Sequence, residues 1–132
     1  MSTRTFLHLF VAAVLLAGLP LAAQNPNANP PPDPNLPLYV VTHVDAAGPG
    51  AAAATAKLLS EFAVESRKEA GSVRFEVYRE VGRANHFTVV EVWQNRAAFD
   101  QHLNGSVSKS FREKLQPMLG SPFDERLHNL LQ

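Results

Sequence analysis

Glu91, Trp93 and His102 are the residues of this chain whose types and spacing best suit chemistry. Glu91-Val-Trp93 reads as the end of a β-strand, and His102, nine residues past Trp93, as the second turn of the helix that follows. A second histidine, His43, ends the β-rich run Tyr39-Val-Val-Thr-His43. Histidine is the side chain whose ordinary pKa, about 6.5, suits a base near neutral pH. The indole of Trp93 and the rings of Tyr39 and Phe99 suit an aromatic ligand. Glu91 shares Trp93's face, where a carboxylate among apolar neighbours orients a histidine or pairs with an arginine across the sheet. The chemistry this set suggests is removal of a proton from an electron-rich aromatic, with His43 and His102 as candidate catalytic groups. Glu91, Trp93, Tyr39 and Phe99 are the candidate substrate-binding groups.

Each residue also has a plainer role. His43 fits a satisfied core or interface histidine. His102 borders an apolar helix stripe and fits a surface position. Trp93 fits a core residue, and Glu91 fits an ion pair with an arginine. His86, beside a turn, and His128, near the end, read as structural or exposed.

The elements that must position these groups are short. Leu38–Val44 is β-rich and reads as the first strand. Gly48-Pro49-Gly50 is a turn, and residues 51–70 follow without proline or glycine. Leu58, Leu59, Phe62 and Ala63 recur there at helical spacing, with Gly71 as the C-cap. Val73–Glu80 alternates apolar and polar and reads as a half-buried strand; residues 82–85 turn, and His86–Trp93 is a third strand. A second helix runs from Arg96 to about Gln116, bent near Asn104-Gly105, with the stripe Phe99, Leu103, Val107, Phe111 and Leu115. Residues 123–131 supply a short fourth strand. The order βαββαβ predicts an α+β, ferredoxin-like fold, a four-stranded antiparallel sheet with two helices on one face. Because the third strand is apolar on both sides, the open sheet face is expected to be covered by a second copy of the chain.

The 132 residues fit one folded domain. Residues 1–23 carry Arg4, an apolar run from Phe6 to Leu19, a breaking Pro20 and small residues at Leu21-Ala22-Ala23. This is the pattern of a cleaved signal peptide, and the run is short of the roughly 20 residues of a spanning helix. Periplasmic or secreted location follows as an expectation, with no stable membrane span after cleavage. Residues 24–37 hold six prolines in 14 residues and read as an extended, disordered linker. The folded domain is therefore residues 38–132. With 12 basic and 12 acidic residues and no basic block, nucleic acid is not an expected partner. Cysteine is absent, which excludes disulfides and a lipid-modified N-terminal cysteine. No histidine pair has metal-ligand spacing, and no phosphate loop or Gly-x-Ser-x-Gly elbow occurs. An enzyme built from this chain is expected to work without metal or cofactor.

The residues Glu91-x-Trp93 and His102, together with Tyr39-Val-Val-Thr-His43, Asn85-His-Phe-Thr-Val-Val90 and Phe123-Asp-Glu-Arg-Leu-His128, resemble the antibiotic biosynthesis monooxygenase (ABM) family. The resemblance covers nearly all of residues 38–131. It implies a dimeric α+β barrel and a cofactor-independent quinol monooxygenase, acting on a quinol-like or polyphenolic aromatic and O2. The second histidine the family often carries, five residues after the position of His102, is Val107 here. The haem-degrading branch of the fold places an iron-ligating histidine where this chain has Arg112, so haem cleavage is not implied. The alternative is a non-catalytic dimeric binding module, or an isomerase, on the same fold.

Overall fold

A computed structural model describes residues 33–131. The signal-peptide reading and most of the linker reading fall on residues outside these. Four strands and three helices follow in the order β1 (Leu38–Asp45), α1 (Pro49–Ser66), β2 (Ser72–Arg79), β3 (His86–Trp93), α2 (Arg96–Asn104), α3 (Ser106–Leu115) and β4 (Asp124–His128), with a 3₁₀ turn at Gln116–Met118. The sheet order is β2-β3-β1-β4 and every neighbouring pair is antiparallel. This is the ferredoxin-like split βαβ arrangement, with β1 and β3 central. None of the described helices is long and apolar enough to cross a membrane.

Strand alternation decides what each residue meets. β3 sends Phe87, Val89, Glu91 and Trp93 toward the helices, where all four are buried. β1 sends Leu38, Val40, Thr42 and Val44 to the same side, and β2 contributes Phe75. Leu59, Phe62 and Ala63 of α1, Phe99 of α2 and Leu115 of α3 close over them. Trp93, Phe75, Phe99 and Leu59 are the largest fully buried side chains. Burying such a side chain stabilises by roughly 1.5–3 kcal/mol before ordering costs.

Two helix boundaries differ from the sequence reading, and both shape the site. The first helix begins at Pro49, which suits a first helical position, and ends at Ser66 instead of reaching Ala70. Residues 67–71 turn instead, with Arg67 Nε donating to the Phe75 carbonyl at 2.8 Å. Glu69 therefore lies in a turn that points back over the core. Gly71 ends this turn at φ +82, and a Cβ there would lie 2.4 Å from Ala98 Cβ. The second helix is broken in two, because Gly105 adopts extended backbone (φ −68, ψ 155). α2 starts on Asn95, whose side-chain carbonyl accepts from Ala98 N–H at 2.9 Å. The break splits the expected five-residue stripe. In α2 the buried residues are Ala98, Phe99 and His102, whereas Leu103 and Val107 are only half-buried.

Candidate functional site

β3 and α2 bring four of the six expected residues together. Trp93 Nε1–H donates to Glu91 Oε2 at 2.7 Å, two residues apart on the same strand face. The His102 ring lies 4.5 Å from the Trp93 ring, centre to centre, at 31°. Phe99 is 6.2 Å from the same imidazole. His102 is 3% exposed, so the reading of a position at the margin of the helix stripe is corrected: the ring is core-facing. The physical reason lies within α2: Phe99 and His102 are three residues apart and share its buried face, whereas Leu103, on the expected stripe of fours, is only half-buried.

The other two candidates lie elsewhere. Tyr39 and His43 alternate with the buried residues of β1 and occupy the sheet face opposite the helices. His43 is exposed and its Nδ1 sits 3.3 Å from Thr88 Oγ1. A pocket shared by His43, His102 and Trp93 within one protomer is therefore corrected: the sheet itself stands between them. Tyr39, Val41 and His43 share one strand parity, and it is the one facing away from the helices. The arginine partner envisaged for Glu91 is also replaced. Arg112 instead donates to Glu125 Oε2 at 2.9 Å, its guanidinium 4.9 Å above the Phe123 ring.

Residues that the sequence does not single out complete the site. His102 Nδ1 is 3.0 Å from Glu69 Oε2, in the turn after α1. Donation from Nδ1–H to that carboxylate leaves Nε2 as an acceptor. Nε2 faces Glu91 Oε2 at 3.9 Å and Ser108 Oγ at 3.2 Å. A cavity of about 20 Å³ opens beside them, with Thr42, Glu91, His102, Ser108, Arg112 and Glu125 as its polar walls. Phe62, Phe111, Phe123 and Leu115 supply apolar ones. This is room for about one water. The buried Thr42 hydroxyl has no partner among the described residues and lines this space.

Electrostatics sorts the titratable groups. Burial pushes the Glu91 carboxyl up to about 7, with Glu125 and Glu69 adding to the rise and Trp93 and Arg112 opposing it. Burial also holds His102 below its ordinary 6.5, against the pull of Glu69. Near neutral pH the imidazole is therefore uncharged, and Glu91 is the group poised between its two states. Such a pair can take a proton from a hydroxyl, pass it between Glu91 and Nε2 across one water, and return it. Among the described residues no three histidine, aspartate or glutamate side chains converge as a metal-ligand set.

Comparison with known proteins agrees with the fold. The chain is 31% identical over 75 residues to the uncharacterized protein sll1783 of Synechocystis, covering 57% of this chain and 51% of that one. It is 30% identical over 59 residues to YcnE of Bacillus subtilis, which bears the name "Putative monooxygenase", covering 45% of this chain and 62% of that one. The matches thus span less than two thirds of either relative. Solved structures of PA3566 from Pseudomonas aeruginosa (TM-score 0.68, 23% identity, 76% of this chain, 99% of that one) and of Rv0793 from Mycobacterium tuberculosis (0.68, 21%, 73% and 96%) share the fold. The pattern that defines the antibiotic biosynthesis monooxygenase family matches residues 37–114, more than half of the 132. The chain belongs to that family.

Proposed function

We propose that the protein is a cofactor-independent monooxygenase that oxidises a quinol-like or polyphenolic aromatic with O2. The observation that carries this reading is the buried Glu91 carboxyl, held by the Trp93 indole at 2.7 Å and 3.9 Å from His102 Nε2, with burial pushing its pKa up to about 7. Ground-state O2 reacts slowly with closed-shell molecules, and a phenol reduces it readily only once deprotonated. Glu91, with His102 Nε2 behind it, takes the hydroxyl proton. The phenolate gives one electron to O2, and the resulting aryloxyl radical and superoxide join at a ring carbon bearing hydrogen. The O–O bond then breaks. The ring C–H proton and the proton held by Glu91 end on the departing oxygen as water, and the ring leaves as a quinone. One phenol and one O2 give one quinone and one water. The aromatic walls exclude bulk water, and Arg112, paired with Glu125, is the cation that lines the cavity near the phenolate oxygen.

The test is oxygen consumption by residues 24–132 with a panel of benzo- and naphthoquinols. Uptake that Glu91→Gln abolishes supports the reading. No uptake with any quinol, or equal uptake by the variant, overturns it. A second reading, a dimeric small-molecule-binding module without catalysis, draws on the small size of the cavity. Saturable binding of an aromatic with a flat oxygen trace would establish it. The leader pattern of residues 1–23 adds the proposal that the protein works in the periplasm or outside the cell. Mass spectrometry of exported protein tests this by its first residue, expected at Gln24.

A further inference from the structure

A cavity with room for about one water admits no aromatic ring until a wall moves. Phe62 of α1 and Phe111 of α3 identify the wall. Their rings stack at 3.8 Å and 1°. Both line the cavity beside Glu91 and His102, and both also line a groove of about 380 Å³ on the outer side, between α1 and α3. The stacked pair is thus a partition one ring-pair thick between a closed reaction space and an open one of ligand size.

The two rings are not held equally. Phe62 is 8% exposed and meets Phe75 edge-on at 5.3 Å and His102 at 5.5 Å. Phe111 is half-buried and has Phe62 as its stacking partner. Its helix buries only Ser108 and Leu115, and follows the extended backbone of Gly105. The side that yields is therefore Phe111 on α3.

We propose that the groove between α1 and α3 binds the non-reacting part of a neutral, planar aromatic larger than one ring, and that Phe111 is the gate through which its reacting ring enters the cavity. This rests on the reading of the Glu91–His102 cavity as the reaction site. The groove's chemistry sets the ligand class. Leu58, Val107 and the two phenylalanines give an apolar floor, and Ser106 and Ser110 offer hydroxyls. Its rim acids are already matched: Glu61 lies 3.4 Å from Lys57, Glu65 lies 2.7 Å from Lys68, and Lys114 stands on the opposite rim. Such a rim selects neither a strong anion nor a strong cation. Continuity of the two spaces through one movable ring favours a ligand that spans both.

Trp93 gives a readout that needs no turnover. It is the sole tryptophan, it is fully buried, and it stacks on His102 at the cavity. The probe is 2-methyl-1,4-naphthoquinone, a neutral fused aromatic that quenches indole fluorescence on close approach. Phe111→Ala should raise the bimolecular quenching constant by about fivefold or more, by populating the open state. Phe111→Leu serves the same purpose if the alanine variant unfolds. Val107→Phe combined with Ser110→Leu fills the groove without touching the cavity and should lower the constant by a similar factor. Equal quenching in wild type and gate variants overturns the gate, and equal quenching after filling overturns the groove. Oxygen plays no part in this measurement. A protein that admits the quinone through the groove but oxidises no quinol sinks the monooxygenase reading and leaves the groove standing.

Discussion

His102 Nδ1 and the Glu69 carboxylate lie 3.0 Å apart across 33 residues of sequence, one on the first helix after β3 and the other in the turn after α1. This contact fixes the imidazole tautomer and aims Nε2 at Glu91. Glu69 touches neither the cavity nor its contents, so it acts as a positioning residue. Glu69→Gln keeps an oxygen in place but permits the opposite amide orientation and removes the charge. Activity on a quinol should fall roughly tenfold or more, chiefly in kcat. The His102 pKa should drop further, because the glutamate opposes the effect of burial. NMR titration of the imidazole reads that drop directly. An unchanged His102 titration would mean that the carboxylate does not act on the ring.

Glu91 gives a pH dependence of opposite sign to the common carboxylate case. Its folded pKa, about 7, lies above its ordinary 4.5. Between those values the folded state holds more protons than the unfolded one, so stability falls as pH rises. The stabilisation is fully present below about 4.5 and is lost by about 7, with a magnitude of about 3 kcal/mol. His102, depressed below 6.5, works the other way: its contribution is present above 6.5 and is lost as pH falls through its folded pKa. Glu91→Gln should therefore be more stable than wild type at pH 8, by about 1–3 kcal/mol in urea unfolding. Near pH 4.5 the gain should vanish. The same variant should lose oxygen uptake, and wild-type kcat/KM should rise through about pH 7. A variant destabilised at pH 8 would show that the carboxylate is a structural ion and not a strained, functional acid.

Two of the three glycines at positive φ among the described residues separate backbone strain from packing. Gly71 and Gly82 have φ +82 and +85, but a Cβ at Gly71 would meet Ala98 Cβ at 2.4 Å, whereas at Gly82 it would meet none of the described residues within 4 Å. Gly82→Ala should cost about 1 kcal/mol from backbone alone. Gly71→Ala adds a core collision where the Glu69 turn packs on α2, and should cost about 2–4 kcal/mol in all. Thermal unfolding of the two variants checks the difference. Equal losses would mean that the turn shifts freely, and Glu69 with it.

Much of this fold is legible in the sequence, because strand alternation and helix periodicity are local signals. His86–Trp93 reads as one strand with the observed bounds, since both of its faces are apolar and a turn precedes it. Glu91, Trp93 and His102 stand out because they lie close along the chain. Glu69 and Ser108 do not. The first reaches His102 only because α1 stops at Ser66, and the second because α3 starts afresh after Gly105. The first break has no local marker, since residues 67–70 lack proline and glycine; the second is marked as a bend at Asn104-Gly105, but a lone glycine does not tell that the helix stops and restarts. The side on which His43 lies is hidden for another reason. Parity tells which residues share a face but not which of the two faces the helices cover.

The sheet face away from the helices carries the last prediction. Val41 pairs with Val90 and Tyr39 with Val92 at the centre of the sheet, away from the helices. Polar groups ring this apolar patch. His43 and Thr88 stand beyond one end with Asp45 and His86, which pair at 2.5 Å. Arg74 with Glu76 and Arg126 with Asp124 flank the sides. An apolar centre inside a polar rim is the anatomy of a protein interface. A second copy applied by two-fold symmetry would meet the same patch on itself, burying Val90 near the middle. Val90→Lys places a charge there without entering the core, because Val90 points away from α1 and α2. Wild type should sediment as a dimer at micromolar concentration, and the variant as a monomer with an unchanged circular dichroism spectrum. A monomeric wild type, or a variant that stays dimeric, would rule out this face as the contact. If the dimer forms here, His43 and Tyr39 lie at its seam, and His43→Ala should alter association more than oxygen uptake.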